Sequence, residues 1–359
     1  MDRHDLLFAL GRPFAPAYAG IMALRAKAYR KGLFAVHHAG VPVISIGNLT
    51  WGGTGKTPMV IAVAEFCLRL GFRPAIVSRG YGAASPRPVN TVSDGRRILL
   101  DAAAAGDEPL LLAERLPGVP VLTGVRRPAA ARRAVELFAP DLLLLDDGFQ
   151  HLALARDLDI VLLNGGRPLG NGRVFPGGPL REGVGALRRA HCLVATGSAA
   201  AALDAALPAR AGFAAIPRFG AAYRPRALLT SAGEPLPLES LAGKRPLAFC
   251  GLGSPDSFRR SLAEIGIVPV DFIACRDHRR YVAADLVHLA ERCRQQGGDC
   301  LLATEKDLVK LRRFPLPLPL YALRVVLDPE PAFFAFLEER LQALVGVGKR
   351  HTSTLRAVS

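Results

Sequence analysis

Between residues 43 and 196 the chain carries six short apolar runs: Val43–Gly47, Ala75–Ser78, Pro120–Thr123, Leu142–Leu145, Ile160–Leu163 and Cys192–Thr196. They are continuous rather than alternating, a pattern that suits strands covered on both faces. Between them, Pro58–Leu70, Pro109–Leu116 and Pro128–Phe138 have helical spacing. Proline costs a helix little in its first turn, where the amide has no intrahelical partner. Strands alternating with helices imply a parallel sheet with helices on both sides. That domain is expected to end near residue 210.

A second α/β set follows, with strands expected at Pro246–Cys250, Val268–Ile273, Cys300–Ala303 and Tyr321–Val326. Its helices are expected at Ser257–Glu264, Ala283–Gln295 and Pro331–Leu344. A chain of 359 residues exceeds the size at which one core stops growing, so two domains are the default. The expected division is a segment at 1–40, a first domain at 41–215, linker strands at 216–245, a smaller domain at 246–345 and a flexible tail at 346–359. The fold class is α/β.

The sequence has 46 Lys+Arg against 31 Asp+Glu, a net charge of +15, so anionic partners are favoured: nucleic acid, an anionic membrane or phosphorylated substrates. No RNP, KH or zinc-finger pattern supports nucleic acid. Six cysteines without a CxxC pair indicate reduced, buried thiols, and Met1-Asp2-Arg3-His4 does not begin a secretory signal. No run reaches the roughly 18–20 consecutive apolar residues that span a bilayer. Residues 18–31 nonetheless suit an amphipathic helix. Tyr18, Ile21, Met22, Ala28 and Tyr29 share one face, opposite Lys27, Arg30 and Lys31, while Arg25 falls on the apolar side. Such a helix either lies in a membrane interface or packs on its own domain.

The sharpest motif is Gly47-Asn48-Leu49-Thr50-Trp51-Gly52-Gly53-Thr54-Gly55-Lys56-Thr57, placed between an expected strand and an expected helix. Gly52, Gly53, Thr54 and Gly55 let the backbone curl so that amides face phosphate oxygens. Lys56 is suited to bridge the outer phosphates and Thr57 to bind Mg²⁺. The helix that follows adds its positive end. Thr50 stands where the common pattern has its first glycine, and Trp51 stands where variant loops often have lysine. The run Leu142–Leu145 ends in Asp146-Asp147, as does a strand delivering a carboxylate to a phosphate-bound cation. Either aspartate could be the ligand.

Two further segments concentrate acid–base chemistry. Gly106-Asp107-Glu108-Pro109 opens a helical run, where an acid could cap the helix, bind Mg²⁺ or deprotonate a hydroxyl. Arg276-Asp277-His278-Arg279-Arg280-Tyr281 sets one imidazole among charges. Thr304-Glu305-Lys306-Asp307 ends an apolar run without the N-K-x-D order of guanine-specific enzymes.

Together these residues make the chain similar to the tetraacyldisaccharide 4′-kinase (lipid A 4′-kinase) family. The likeness rests on the loop at 44–58, S-R-G-Y-G at 78–82, G-D-E-P at 106–109 and L-D-D-G-F-Q-H at 145–151. It continues through 166–182, F-C-G-L-G-S-P at 249–255, D-H-R-R-Y at 277–281 and T-E-K-D at 304–307. The resemblance implies two α/β/α domains joined by a short strand linker, the first like a P-loop NTPase. It implies transfer of the γ-phosphoryl of ATP to the 4′-hydroxyl of tetraacyldisaccharide 1-phosphate, giving lipid IVA. The address it implies is the cytoplasmic face of the inner membrane, reached peripherally through the N-terminal helix. Asp107 and His278 match its proposed catalytic dyad, and Thr57, Glu108, Asp146 and Asp147 match its Mg²⁺ surroundings. Arg79, Arg126, Arg127 and Arg181 are candidates for phosphate or substrate contacts. Neither nucleic acid nor an obligate protein partner is expected. The rival readings are a membrane-associated P-loop ATPase switch and, more remotely, a basic nucleic-acid module.

Overall fold

The computed structural model describes residues 3–84, 87–207 and 212–356. In chain order the strands are β1 (Val43–Asn48), β2 (Pro74–Ser78), β3 (Val89–Asp94), β4 (Pro120–Gly124), β5 (Leu142–Asp146), β6 (Leu158–Asn164) and β7 (Cys192–Thr196). Then come β8 (Arg218–Leu229), β9 (Pro235–Leu236), β10 (Pro246–Cys250), β11 (Asp271–Ala274), β12 (Cys300–Thr304) and β13 (Leu320–Pro329). The helices are α1 (Arg3–Gly11), α2 (Ala15–Arg30), α3 (Lys56–Arg69), α4 (Ala102–Ala105), α5 (Asp107–Arg115) and α6 (Arg127–Phe138). They continue with α7 (Ala201–Ala206), α8 (Pro255–Glu264), α9 (Ala283–Gln295), α10 (Glu305–Leu311) and α11 (Pro331–Arg356).

The apolar runs become the central strands because each pleat sends alternate side chains into a different core. Ile44, Ile46, Leu142 and Leu144 meet Met59, Val60 and Val63 of α3 on one side of the sheet. Val43, Leu143 and Leu145 meet Ala130, Ala131 and Ala134 of α6 on the other. In the first half the parallel order is β7-β6-β1-β5-β2-β4. The edge strand β3, absent from the sequence expectation, runs antiparallel to β4. Its buried positions include Asn90 and Ser93, so no apolar run marks it.

The strands of both expected domains and of the linker between them form one continuous sheet. Its order is β11-β10-β12-β13-β8-β7-β6-β1-β5-β2-β4-β3, with β9 beside β8. The join is the long antiparallel pair β8 and β13. These two strands span both halves and change environment along their length, which dilutes any apolar signature. The second half keeps its own cores on its two faces, one of them formed by Leu247, Phe249, Leu301 and Leu308.

Three expectations change. The helix expected at Pro331–Leu344 belongs to the first half rather than the smaller domain. Running back along β8, β13 delivers α11 to the first sheet, where Phe333, Leu337 and Leu341 enter the core with Ile44. α11 also extends to Arg356, through most of the tail expected to fray. Finally, β11 begins at Asp271 rather than Val268, whose side chain is 86% exposed.

Near the N-terminus, α1 and α2 meet through a short 3-10 turn at Arg12–Phe14. Tyr18, Met22 and Tyr29 lie half-buried, as the expected apolar face requires, but Ile21 points outward with Leu24 and Phe14. By length and composition alone Leu6–Arg30 could cross a membrane, which scanning for unbroken apolar runs misses. All six cysteines are free thiols, and only Cys275 is not fully buried.

Candidate active site

The P-loop leaves β1 and enters α3, with Gly55 in the left-handed region at φ 79° as the helix cap. Its curl is held from below by Asn48, whose Nδ2 donates to Thr50 O at 2.7 Å and to Thr54 Oγ1 at 2.8 Å. Thr57 is buried in the first turn. Lys56 Nζ lies 3.8 Å from Asp147 Oδ1. From the other half, the loop after β10 leans over the P-loop so closely that a Cβ on Gly253 would stand 3.1 Å from Gly53 N.

Asp146 ends β5 and Asp147 follows it in the left-handed region at φ 55°, so the chain turns between them and the two face different surroundings. Both oxygens of Asp147 accept from Arg181 Nη1 at 2.8 Å. Burial would raise its carboxyl, but Lys56 and Arg181 together hold it below the usual range. Asp146 is buried, takes one bond from Ser78 Oγ at 3.0 Å, and leaves Oδ1 without a partner. Burial, reinforced by Glu108 and Asp147, pushes it up to about 7. An unpaired buried carboxylate oxygen is costly unless a cation or proton meets it.

Asp107 opens α5 at the carboxyl end of the sheet, directly after Gly106. That residue sits at φ 88°, and a Cβ there would come within 2.9 Å of Tyr81 O, so only glycine can turn the chain here. Both Asp107 oxygens lie 3.1 Å from His278 Nδ1, across 171 residues of sequence. Lys310 Nζ stands 3.5 Å from Asp107 Oδ2, and Lys306 Nζ stands 3.0 Å from Glu108 Oε1. Burial works against the Asp107 charge, yet His278 and the two lysines hold its carboxyl well below the ordinary range. In turn the hydrogen bond to Asp107 raises His278 against its own burial.

Four ion pairs therefore connect α5 of the first half to the α10 segment of the second. Besides the two lysine pairs, Arg115 meets Glu305 at 2.9 Å and Arg312 meets Glu114 at 2.7 Å. Lys310 is anchored from behind by Asp307, at 3.1 Å. Asp307 is wholly buried and accepts from Gly251 N, Thr304 Oγ1 and Tyr281 Oη. The sequence marks T-E-K-D but assigns no role to its Lys306 or to Lys310 just beyond it. The available signal was their i, i+4 spacing after an apolar strand, which puts both on one helix face.

The four candidate arginines separate. Arg181 is bound to Asp147, and Arg127 is 1% exposed, donating Nη1 to Gly124 O at 2.7 Å with Nε and Nη2 unpartnered. Burial draws Arg127 down to about 10, while Asp146 and Asp147 act against that fall. Arg79 is exposed but close enough to Arg127 to affect it, and Arg126 is the exposed cap of α6. Beside them, His151 is driven down to about 4, first by burial and then by Arg127, Arg79 and Arg25. A histidine held neutral binds its proton more readily when unfolded, so stability falls as pH drops from about 6.5 to 4 and levels off below. The change is on the order of 2–3 kcal/mol. His151→Gln should flatten that limb of the urea stability profile.

Among the described residues, no group of three or more His, Cys, Asp or Glu side chains could hold a metal ion. What the cleft brings together is a phosphate-gripping loop, an ionised carboxylate paired with an imidazole, and a second carboxylate with a free oxygen. Fold and site define a P-loop phosphotransferase, a kinase.

The comparisons agree. The family model for tetraacyldisaccharide-1-P 4′-kinase matches residues 7–342, and the chain belongs to that family. It is 44% identical over 328 residues to the tetraacyldisaccharide 4′-kinase of Desulfotalea psychrophila, covering 90% of this chain and 94% of that one. With the same-named protein of an Anaeromyxobacter species it shares 47% over 298 residues, or 80% and 78% of the two chains. The LpxK of Aquifex aeolicus in complex with ATP superposes with a TM-score of 0.73 at 32% identity, covering 92% of this chain and 98% of that one.

Proposed function

We propose that this kinase transfers the γ-phosphoryl group of ATP to the 4′-hydroxyl of a tetraacyldisaccharide 1-phosphate, forming lipid IVA at the cytoplasmic face of the inner membrane. The observation that carries the reading is the Asp107–His278 pair, joined at 3.1 Å between the half that carries the GKT loop and the half that leans over it. Phosphoryl transfer asks a protein mainly for alignment and charge neutralisation. Lys56 and the amides of Gly52, Gly53, Thr54 and Gly55 grip the outer phosphates. Asp107 accepts the proton of the attacking hydroxyl, and His278 fixes the orientation of its carboxylate. Arg127, with two unpartnered nitrogens, suits an anion, and Arg79, Arg126 and Arg181 are its neighbours for substrate contact.

The site suits Mg²⁺. Asp146 carries a buried oxygen with no partner and would be the first ligand. Thr57 is the hydroxyl candidate, while Asp147 and Glu108, paired with Arg181 and Lys306, would join only on leaving those partners. Mg²⁺ typically takes one or two carboxylates and completes its shell with phosphates and water, so no ready cage of protein ligands is needed. When bound it neutralises charge on the phosphate oxygens.

The membrane part of the reading rests on exposure. Nine of the twenty most exposed large hydrophobic side chains among the described residues lie between Leu6 and Val36. Arg25 donates to Gln150 O at 3.1 Å, and Tyr18 meets Phe175 edge-on, so α2 is held to the protein body as a surface anchor rather than free to span.

Incubating the protein with labelled ATP, Mg²⁺ and tetraacyldisaccharide 1-phosphate in mixed micelles should label the lipid. Lys56→Ala should lower that rate by about 10²–10³-fold, as loss of a charge-stabilising donor does elsewhere. ATP hydrolysis without a labelled lipid would instead favour the ATPase reading.

A further inference from the structure

Trp51 takes no part in the chemistry above, yet it forms the outer shoulder of the P-loop with 57% of its surface exposed. It is the chain's only tryptophan. Its ring lies flat on Phe175, with centroids 5.1 Å apart and planes 7° apart. Phe175 in turn meets Tyr18 of α2 edge-on at 5.6 Å. An aromatic ladder thus runs from the N-terminal helix to the phosphate-binding loop.

The backbone beneath the ladder is equally tight. Trp51 N donates to Pro179 O at 2.7 Å. A Cβ on Gly11 would stand 2.2 Å from Pro176 O, and one on Gly177 would stand 2.9 Å from Ala15 Cβ. The loop at 174–180 is therefore wedged between the α1–α2 junction and the P-loop, and the three pack as one piece. The outer side of that piece is apolar through Leu10, Phe14, Ile21 and Leu24. Its flank is cationic through the exposed Arg12, Lys27, Arg30 and Lys31. Indole prefers the headgroup level of a bilayer, where its apolar body and its N–H are both satisfied.

We infer that Trp51, stacked on Phe175, is a second lipid-contacting point, seating the P-loop itself against an anionic bilayer surface. This deepens the membrane reading proposed above and rests on it. Lipid contact by the N-terminal helices alone would dock the protein but leave the tilt of the cleft free. Two points joined by a rigid loop fix the tilt, so the phosphates are held at the depth where a sugar hydroxyl emerges from the headgroups.

Because Trp51 is the sole tryptophan, the full-length protein reports on itself. It is mixed with vesicles of phosphatidylcholine and phosphatidylglycerol whose chains are brominated near the carbonyl end or near the terminal methyl. Bound protein is separated by sedimentation. The expected result is sedimentation with a blue-shifted emission, quenched by roughly half with shallow bromines and by less than about a tenth with deep ones. A Trp51→Phe, Leu24→Trp double variant should also be quenched, which shows that the helix is inserted. If the protein sediments and the double variant is quenched while Trp51 is not, the inference is overturned and the membrane reading stands. Absence of sedimentation overturns both. As a second readout, Trp51→Ala should raise KM for vesicle-presented acceptor about 5-fold while KM for ATP stays fixed. An unchanged acceptor KM counts against the inference.

Discussion

Replacing Asp107 with asparagine should lower the phosphoryl-transfer rate about 10²–10⁴-fold, the usual contribution of a positioned proton acceptor. The amide keeps the shape of the carboxylate, so the start of α5 and its contact with His278 need not move. What changes is basicity, because an amide oxygen cannot take the proton of a hydroxyl. The charges around the position do not compensate. His278, Lys306 and Lys310 all face it and are arranged to keep a carboxylate ionised. With that anion gone, three cations or potential cations lose their common partner, and a modest loss of stability should accompany the loss of rate. The measurement is single-turnover transfer from labelled ATP, with nucleotide affinity determined in parallel. Affinity should hold within about 3-fold, since the P-loop is untouched. An unaltered rate would remove Asp107 as the base and turn attention to Glu108, Asp146 and Asp147.

The second large effect is on folding. Asp307 is wholly buried and collects three hydrogen bonds as well as the Lys310 ammonium at 3.1 Å. Asp307→Ala leaves that ammonium with Asp107 alone, at 3.5 Å, and takes the acceptor from the Gly251 amide and the Tyr281 hydroxyl in the core of the second half. Breaking one side of a buried ion pair in this way costs about 3–5 kcal/mol. Asp307→Asn, which keeps one acceptor oxygen and the shape, should cost less. Equilibrium urea unfolding read by circular dichroism measures both. An alanine variant as stable as the parent would mean that water enters and solvates Lys310, and that the α5–α10 contact is looser than its geometry indicates. Because Lys310 also stands 3.5 Å from Asp107 Oδ2, the stability of this core and the setting of the Asp107 carboxylate are linked.

The legible parts of the site were those whose chemistry is local. The P-loop is a run of consecutive residues whose function is its own backbone curl, and Asp146-Asp147 is a strand with its terminus. Both can be read from spacing. The Asp107–His278 pair was reached only through resemblance to a family, because nothing in G-D-E-P or R-D-H-R-R says that they meet across 171 positions. Lys306, within T-E-K-D, and Lys310, one turn further on, had no role in that reading for the same reason. Their partners Glu108 and Asp107 lie about 200 residues away, on a helix of the other half.

The same division holds for the fold. Continuous apolar runs determined that the chain forms covered parallel strands, and the glycine-rich run before α3 determined where the P-loop curls, since these are short-range steric and solvation effects. Only the tertiary structure decided that the two sets of strands join into one sheet, that α11 returns to the first core, and which way each terminal aspartate faces. Those outcomes depend on contacts between segments distant in the chain. Their energy comes from the partner, so no window of sequence contains it.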